Sequence, residues 1–138
     1  MFRHPNIVPF NSDAGVHLRS ECKAGDCTYF LRNWVMGRSA MTLEEGIRKI
    51  TSFPAKLIGL ADRGLIKEGA AADIVVLDPD RVNCLPKEPV NDFPGQEERW
   101  VQRAEGVSTV MVNGKVTIRE GKEAGEMSGK VLRSTWYR

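Results

Sequence analysis

The residue best suited to chemistry in this sequence is Asp13. It sits in Asn11-Ser12-Asp13-Ala14-Gly15, directly after the short β-prone run Ile7-Val8-Pro9-Phe10. An apolar run ending in small and polar residues predicts a strand that opens into a loop at its C-terminal end. In barrels of alternating strands and helices, catalytic groups occupy that end of the strands. A carboxylate there can move protons. Equally, it can cap its own loop by accepting backbone N–H groups. His17 lies four residues further on, where an imidazole that titrates near neutrality can work beside the carboxylate or simply start a helix. His4 precedes Pro5, at the opposite end of the run from Asp13, and reads as a surface residue. Ser12 has no G-x-S-x-G elbow around it, which argues against a nucleophilic role. Cys22 and Cys27 in ECKAGDC suggest half a zinc site, but no second Cys/His pair follows.

Helices and strands must hold these groups in place. Cys27 to Gly37 contains Tyr29, Phe30, Leu31, Trp34, Val35 and Met36, enough apolar surface for a packed helix. Thr42-Leu43-Glu44-Glu45 is a capping box, and Leu43, Ile47 and Ile50 continue it as one apolar stripe. Pro54 ends that helix and fits the first turn of another, with Ser52 as N-cap and Leu57, Ile58 and Leu60 as the buried face. Beyond Leu60 the pattern changes. Gly59, Gly64 and Gly69 punctuate the chain, and Ile74 to Leu77 predicts a strand entering a sheet core. The stretch from Asp78 to Pro94 carries Pro79, Pro86, Pro89 and Pro94 and predicts an irregular loop. Val107 to Arg119 predicts a hairpin turning at Asn113-Gly114.

Composition narrows the function classes. The chain has 138 residues, 41% hydrophobic and 28% charged, with a net charge of +2. Lysines and arginines are interspersed with acids, which gives neither a nucleic acid nor a membrane surface a basic patch to bind. No stretch approaches the roughly 20 apolar residues of a membrane helix, and MFRHPNIVPF lacks the apolar core of a signal peptide. Three cysteines form no paired framework. Reduced thiols in a cytoplasmic protein are the expectation.

The sequence then becomes recognisable. NSDAGVHL, TLEEGIRKITSFPAKLIGLADRGLIKEGAAADIVVLDPD, VNDFPG and EGVSTVMVNGKVTIREGKEAGEMSGKVLR together resemble the C-terminal region of the amidohydrolase superfamily. SDAGVH and VNDFPG point more narrowly to its N-acyl-D-amino-acid deacylases, the D-aminoacylases. The resemblance runs from about Pro5 to Arg133 and implies an α/β fold. Residues 1–60 would be the end of a metal-dependent hydrolase (β/α)8 barrel, comprising its eighth strand and the following helices. Residues 61–138 would be part of the adjoining small β-sandwich domain. It implies hydrolysis of the amide bond of N-acyl-D-amino acids, a carbon–nitrogen bond other than a peptide bond. Asp13 would be the catalytic base beside the metal and a contact to the ion itself. His17 would be a substrate-binding residue. Asp73, in G-x-x-A-D-I-V-V, would be a turn residue.

The departure from the family pattern is large. Only His4 and His17 are present, with no His-x-His, and a full barrel takes about 250 residues. Zinc is therefore expected for the complete enzyme and not for this chain alone, which reads as inactive by itself. Two other readings stand beside this one. The chain could be a non-catalytic folding or association domain that self-associates through the exposed barrel surface. It could also belong to a related amidohydrolase acting on cyclic amides.

Overall fold

The computed structural model describes residues 3–9, 22–125 and 127–135. Its helices come first and its strands second. Helix α1 (Asp26–Phe30) runs directly into a π-helical stretch (Leu31–Met36), and together they occupy the segment expected to be helical. Phe30, Leu31 and Val35 are its buried side chains, while Tyr29 is half exposed.

Helix α2 (Leu43–Ile50) starts where the capping box places it. The Thr42 hydroxyl accepts from the Glu45 N–H at 3.2 Å, and the Glu45 carboxylate accepts from the Thr42 N–H at 3.1 Å. Leu43, Ile47 and Ile50 pack against the core. Gly46 lets the helix approach closely, because a Cβ there would lie 2.6 Å from Val35 Cγ2.

Helix α3 (Ser52–Leu57) departs from expectation in two ways. Its N-cap is Thr51, not Ser52, and its buried face is not the expected one. Ala55 and Gly59 are buried instead, while Leu57 and Ile58 are exposed and Leu60 is only partly covered.

Among the described residues six strands follow, all pairing antiparallel. They are β1 (Ile74–Leu77), β2 (Asn83–Val90), β3 (Arg99–Glu105), β4 (Val107–Val112), β5 (Lys115–Arg119) and β6 (Lys122–Glu123). One sheet has the order β1-β4-β5-β6, and β2 with β3 forms a separate ribbon. The ribbon corrects the expected loop from Asp78 to Pro94. Two prolines are tolerated because each strand of a two-stranded ribbon is an edge, and Pro86 falls at the register irregularity between Cys84 and Lys87. A second correction concerns β1. The strand forms and its Leu77 packs against the core, but Val75 and Val76 are about half exposed.

The hairpin turns at Asn113-Gly114 with φ of 49° and 80°, the positive pair that a type I′ turn requires. Its tip is tied to the entry of β1, with Asn113 N–H donating to Asp73 Oδ1 at 2.8 Å and Gly114 N–H to the Ala72 carbonyl at 2.9 Å. The fully buried Val82 joins Phe30, Leu31 and Val35, so helices and strands share one core.

Gly106 closes that core from the strand side. Its φ is +73°, its carbonyl accepts the Asp78 N–H at 2.8 Å, and a Cβ would lie 2.4 Å from the Val82 backbone nitrogen. We expect Gly106→Ala to cost at least about 2 kcal/mol, since left-handed strain and a backbone clash add. Gly121→Ala shares the φ of +73° but meets nothing within 4 Å. It should cost about 1 kcal/mol. Equal urea midpoints for the two variants would contradict this account.

Candidate functional site

The segment that leads to Asp13 is held by a buried lysine. Lys49, on α2, is 6% exposed, and its ammonium donates to the carbonyls of His4 at 3.0 Å and Ile7 at 2.9 Å. The same segment is fixed from its other side by Arg3, whose guanidinium donates to the carbonyls of Ala40 and Ser39 just before α2. Between these clamps the chain turns, with Ile7 N–H donating to the His4 carbonyl at 3.2 Å. Ile7, Val8 and Pro9 join no ladder among the described residues; the strands that an eighth barrel strand would pair with lie outside them. A strand needs a neighbour's N–H and C=O groups, and here Ile7 N–H and the Ile7 carbonyl are engaged by a turn and by Lys49.

Asp13, His17 and Ser12 lie outside the described residues, as does Phe10. His4 is exposed, and its Nδ1 accepts from the Asn6 N–H at 3.2 Å, in keeping with a surface role. Asp73 is a structural carboxylate. The Asn113 amide holds its carboxyl below the usual range, opposed by desolvation and helped by the Arg63 guanidinium. Asp92, in VNDFPG, is bound by both Arg99 Nε at 2.5 Å and Arg99 Nη2 at 2.6 Å, and this fork lowers its carboxyl in the same way.

The cysteines are free thiols. Burial pushes the Cys84 thiol up, away from the thiolate form a nucleophile or zinc ligand needs. Among the described residues no group of three or more His, Cys, Asp or Glu side chains could hold a metal ion, so their donors do not fit a zinc site by themselves. No described helix is long and apolar enough to cross a membrane.

Sequence reasoning missed Lys49. Its signal was present, since Gly46 and Lys49 are three apart and share one helical face next to the Leu43, Ile47 and Ile50 stripe. A lysine is ordinarily read as solvated, and only the two carbonyls delivered from the N-terminal segment make its burial favourable.

Comparison with known proteins places this geometry. Residues 1–118 match the amidohydrolase family. The chain is 45% identical over 58 residues to an N-acyl-D-glutamate deacylase of Alcaligenes xylosoxydans xylosoxydans, covering 42% of this chain and 12% of that protein. It is 33% identical over 109 residues to an N-acyl-D-aspartate deacylase of the same organism, covering 78% and 20%. A solved N-acyl-D-glutamate deacylase from Bordetella bronchiseptica superposes with a TM-score of 0.60 at 34% identity, over 78% of this chain and 20% of the other. That structure contains zinc and a phosphonate inhibitor mimicking the tetrahedral intermediate of the reaction. The chain thus spans no more than about a fifth of the length of these relatives.

Proposed function

We propose, since this chain belongs to the amidohydrolase family, that it forms the C-terminal part of a metal-dependent hydrolase that cleaves the amide bond of N-acyl-D-amino acids. The observation that carries this reading is the identity to two deacylases of acidic N-acyl-D-amino acids, 33% over 109 residues in one of them. Residues 1–60 complete the barrel, and residues 61–138 belong to the β domain beside it. In the complete enzyme a bound zinc ion would lower the pKa of water and polarise the amide carbonyl. Its remaining ligands come from outside this chain. Asp13 would accept the proton released from water and return it to the departing amine, and would be one of the residues that hold the ion. His17 lies against the substrate. Lys49 and Arg3 hold residues 3–9, the segment that precedes Asp13 in the sequence.

The test joins this chain to the upstream region of a deacylase relative. Amine release is then measured with zinc on N-acetyl-D-glutamate, N-acetyl-D-aspartate, their L-enantiomers and a cyclic amide. Turnover of the D-substrates, absent from the isolated chain, is the expected result. Turnover of the cyclic amide alone would replace this reading with that of a related amidohydrolase.

A second reading is favoured by one observation, the exposed apolar surface. Ile66 is 85% exposed, Val75 and Val76 about half exposed, and an apolar groove of about 810 Å³ runs between Leu31, Leu43, Ile47 and Ile74. Such surface ordinarily marks an interface. In that reading the isolated chain associates with itself or with a barrel. We expect it to elute larger than a monomer on sizing, with association weakened by Val75→Lys. A sharp, cooperatively unfolding monomer would exclude association.

A further inference from the structure

Residues 127–134 belong to no helix or strand, yet the segment they form is tied at two places far apart in the fold. Near its start, Ser128 meets the tip of the β4–β5 hairpin. Its hydroxyl donates to the Val112 carbonyl at 2.6 Å, and its carbonyl accepts from the Asn113 side-chain amide at 2.6 Å. At the far end Thr135 meets the turn after α3, where its N–H and hydroxyl both donate to the Gly59 carbonyl at 2.9 Å. Between these anchors Gly129, Lys130, Val131, Leu132 and Arg133 are all exposed, Val131 at 92%. A Cβ built on Gly129 would meet nothing within 4 Å. Exposed residues gain little from burial, whereas fixing the backbone of each costs conformational entropy. The anchors must offset that cost together. Once one lets go, the other holds a chain that is free to swing, and hydrogen bonds at a single point do not keep it in place.

Asn113 is where this segment meets a second connection. Its side chain binds Ser128, while its N–H donates to Asp73 at 2.8 Å, and Asp73 is paired with Arg63 in the stretch that follows α3. The hairpin tip and the stretch after α3 are therefore linked twice, once through Asp73 and Arg63 and once through residues 128–135. The first link sits at the entry of β1, which the ladder with β4 holds in place. The second hangs between its two ends. Exposed segments with few buried contacts are the ones that open locally while the rest of a fold stays closed.

We propose that residues 128–135 form a clasp that opens and closes as one unit, detaching the hairpin tip from the turn after α3 while the Arg63–Asp73–Asn113 link stays closed. The clasp does not depend on the hydrolytic reading. The test follows the 138-residue chain by amide hydrogen exchange and by limited trypsin digestion, which cuts after Lys130 and Arg133 when the segment is free. Both readouts track the open population when opening is fast. In the wild-type chain both cuts should be slower than in a free peptide of residues 127–135. Ser128→Ala removes the hydroxyl donor at the hairpin tip. It should speed both cuts about fivefold, the loss of roughly one hydrogen bond, and speed exchange of the Thr135 amide at the other end by the same factor. Thr135→Val should speed the same cuts and shift the Asn113 side-chain amide resonances. The Asn113 backbone amide, held by Asp73, should stay protected in both variants. Cleavage of the wild-type chain as fast as the free peptide would overturn the clasp. So would unchanged Thr135 exchange in Ser128→Ala, which would show that the anchors act independently. Faster exchange of the Asn113 backbone amide would overturn it as well, by making the segment part of the sheet's own stability.

Discussion

Changing Asp13 to asparagine in a polypeptide carrying the complete barrel lowers kcat by at least about 100-fold, the lower end of what positioned acid–base catalysis contributes. Asparagine keeps the size and most of the hydrogen bonding of aspartate but cannot accept the proton from water. Folding survives, because an isosteric substitution opens no void. Metal content falls modestly if histidines supply most of the ligation, and more if Asp13 is itself a ligand. A loop-capping aspartate gives the opposite pattern, a stability loss of about 1 kcal/mol with turnover nearly intact. Measuring kcat, zinc content and melting temperature on one preparation separates the two. Wild-type turnover in the asparagine variant removes Asp13 from the mechanism.

The parts of this fold legible in the sequence are those set by local chemistry. The Thr42 capping box and the Asn113-Gly114 turn each involve a few adjacent residues whose own backbone groups need partners, and both form where expected. What sequence could not supply was the neighbour. Pro86 and Pro89 argue for a loop until β3 appears alongside and leaves each strand of the ribbon a free edge. Leu57 and Ile58 argue for a buried face, but no described element covers them. Ile7 to Pro9 argue for a strand, and the neighbours it would pair with are not among the described residues. The candidate site follows the same rule. Asp13 stood out from its place in a motif, whereas Lys49, which holds the segment before it, depends on contacts 42 and 45 residues away in sequence.

That dependence leads to the second large effect. Lys49→Met keeps the length and apolar stem of the side chain and removes the ammonium. Two carbonyls then lose a charged donor, each bond contributing about 1.5–3 kcal/mol. The chain should lose about 3 kcal/mol or more of stability, and hydrogen exchange should accelerate first in residues 3–9, whose attachment to α2 depends on this contact. Lys49→Arg retains the charge and should recover part of the loss, though a planar fork fits two divergent carbonyls less well than a compact ammonium. In the complete enzyme the methionine variant should also lose turnover, because a displacement of about 1 Å in a catalytic group can cost about 100-fold. The two variants are then distinguishable. Asp13→Asn loses turnover and keeps stability, whereas Lys49→Met loses both, with its turnover defect shrinking in Lys49→Arg. Unchanged exchange at residues 3–9 in the methionine variant would show that Lys49 does not anchor the segment, and that whatever positions Asp13 lies elsewhere.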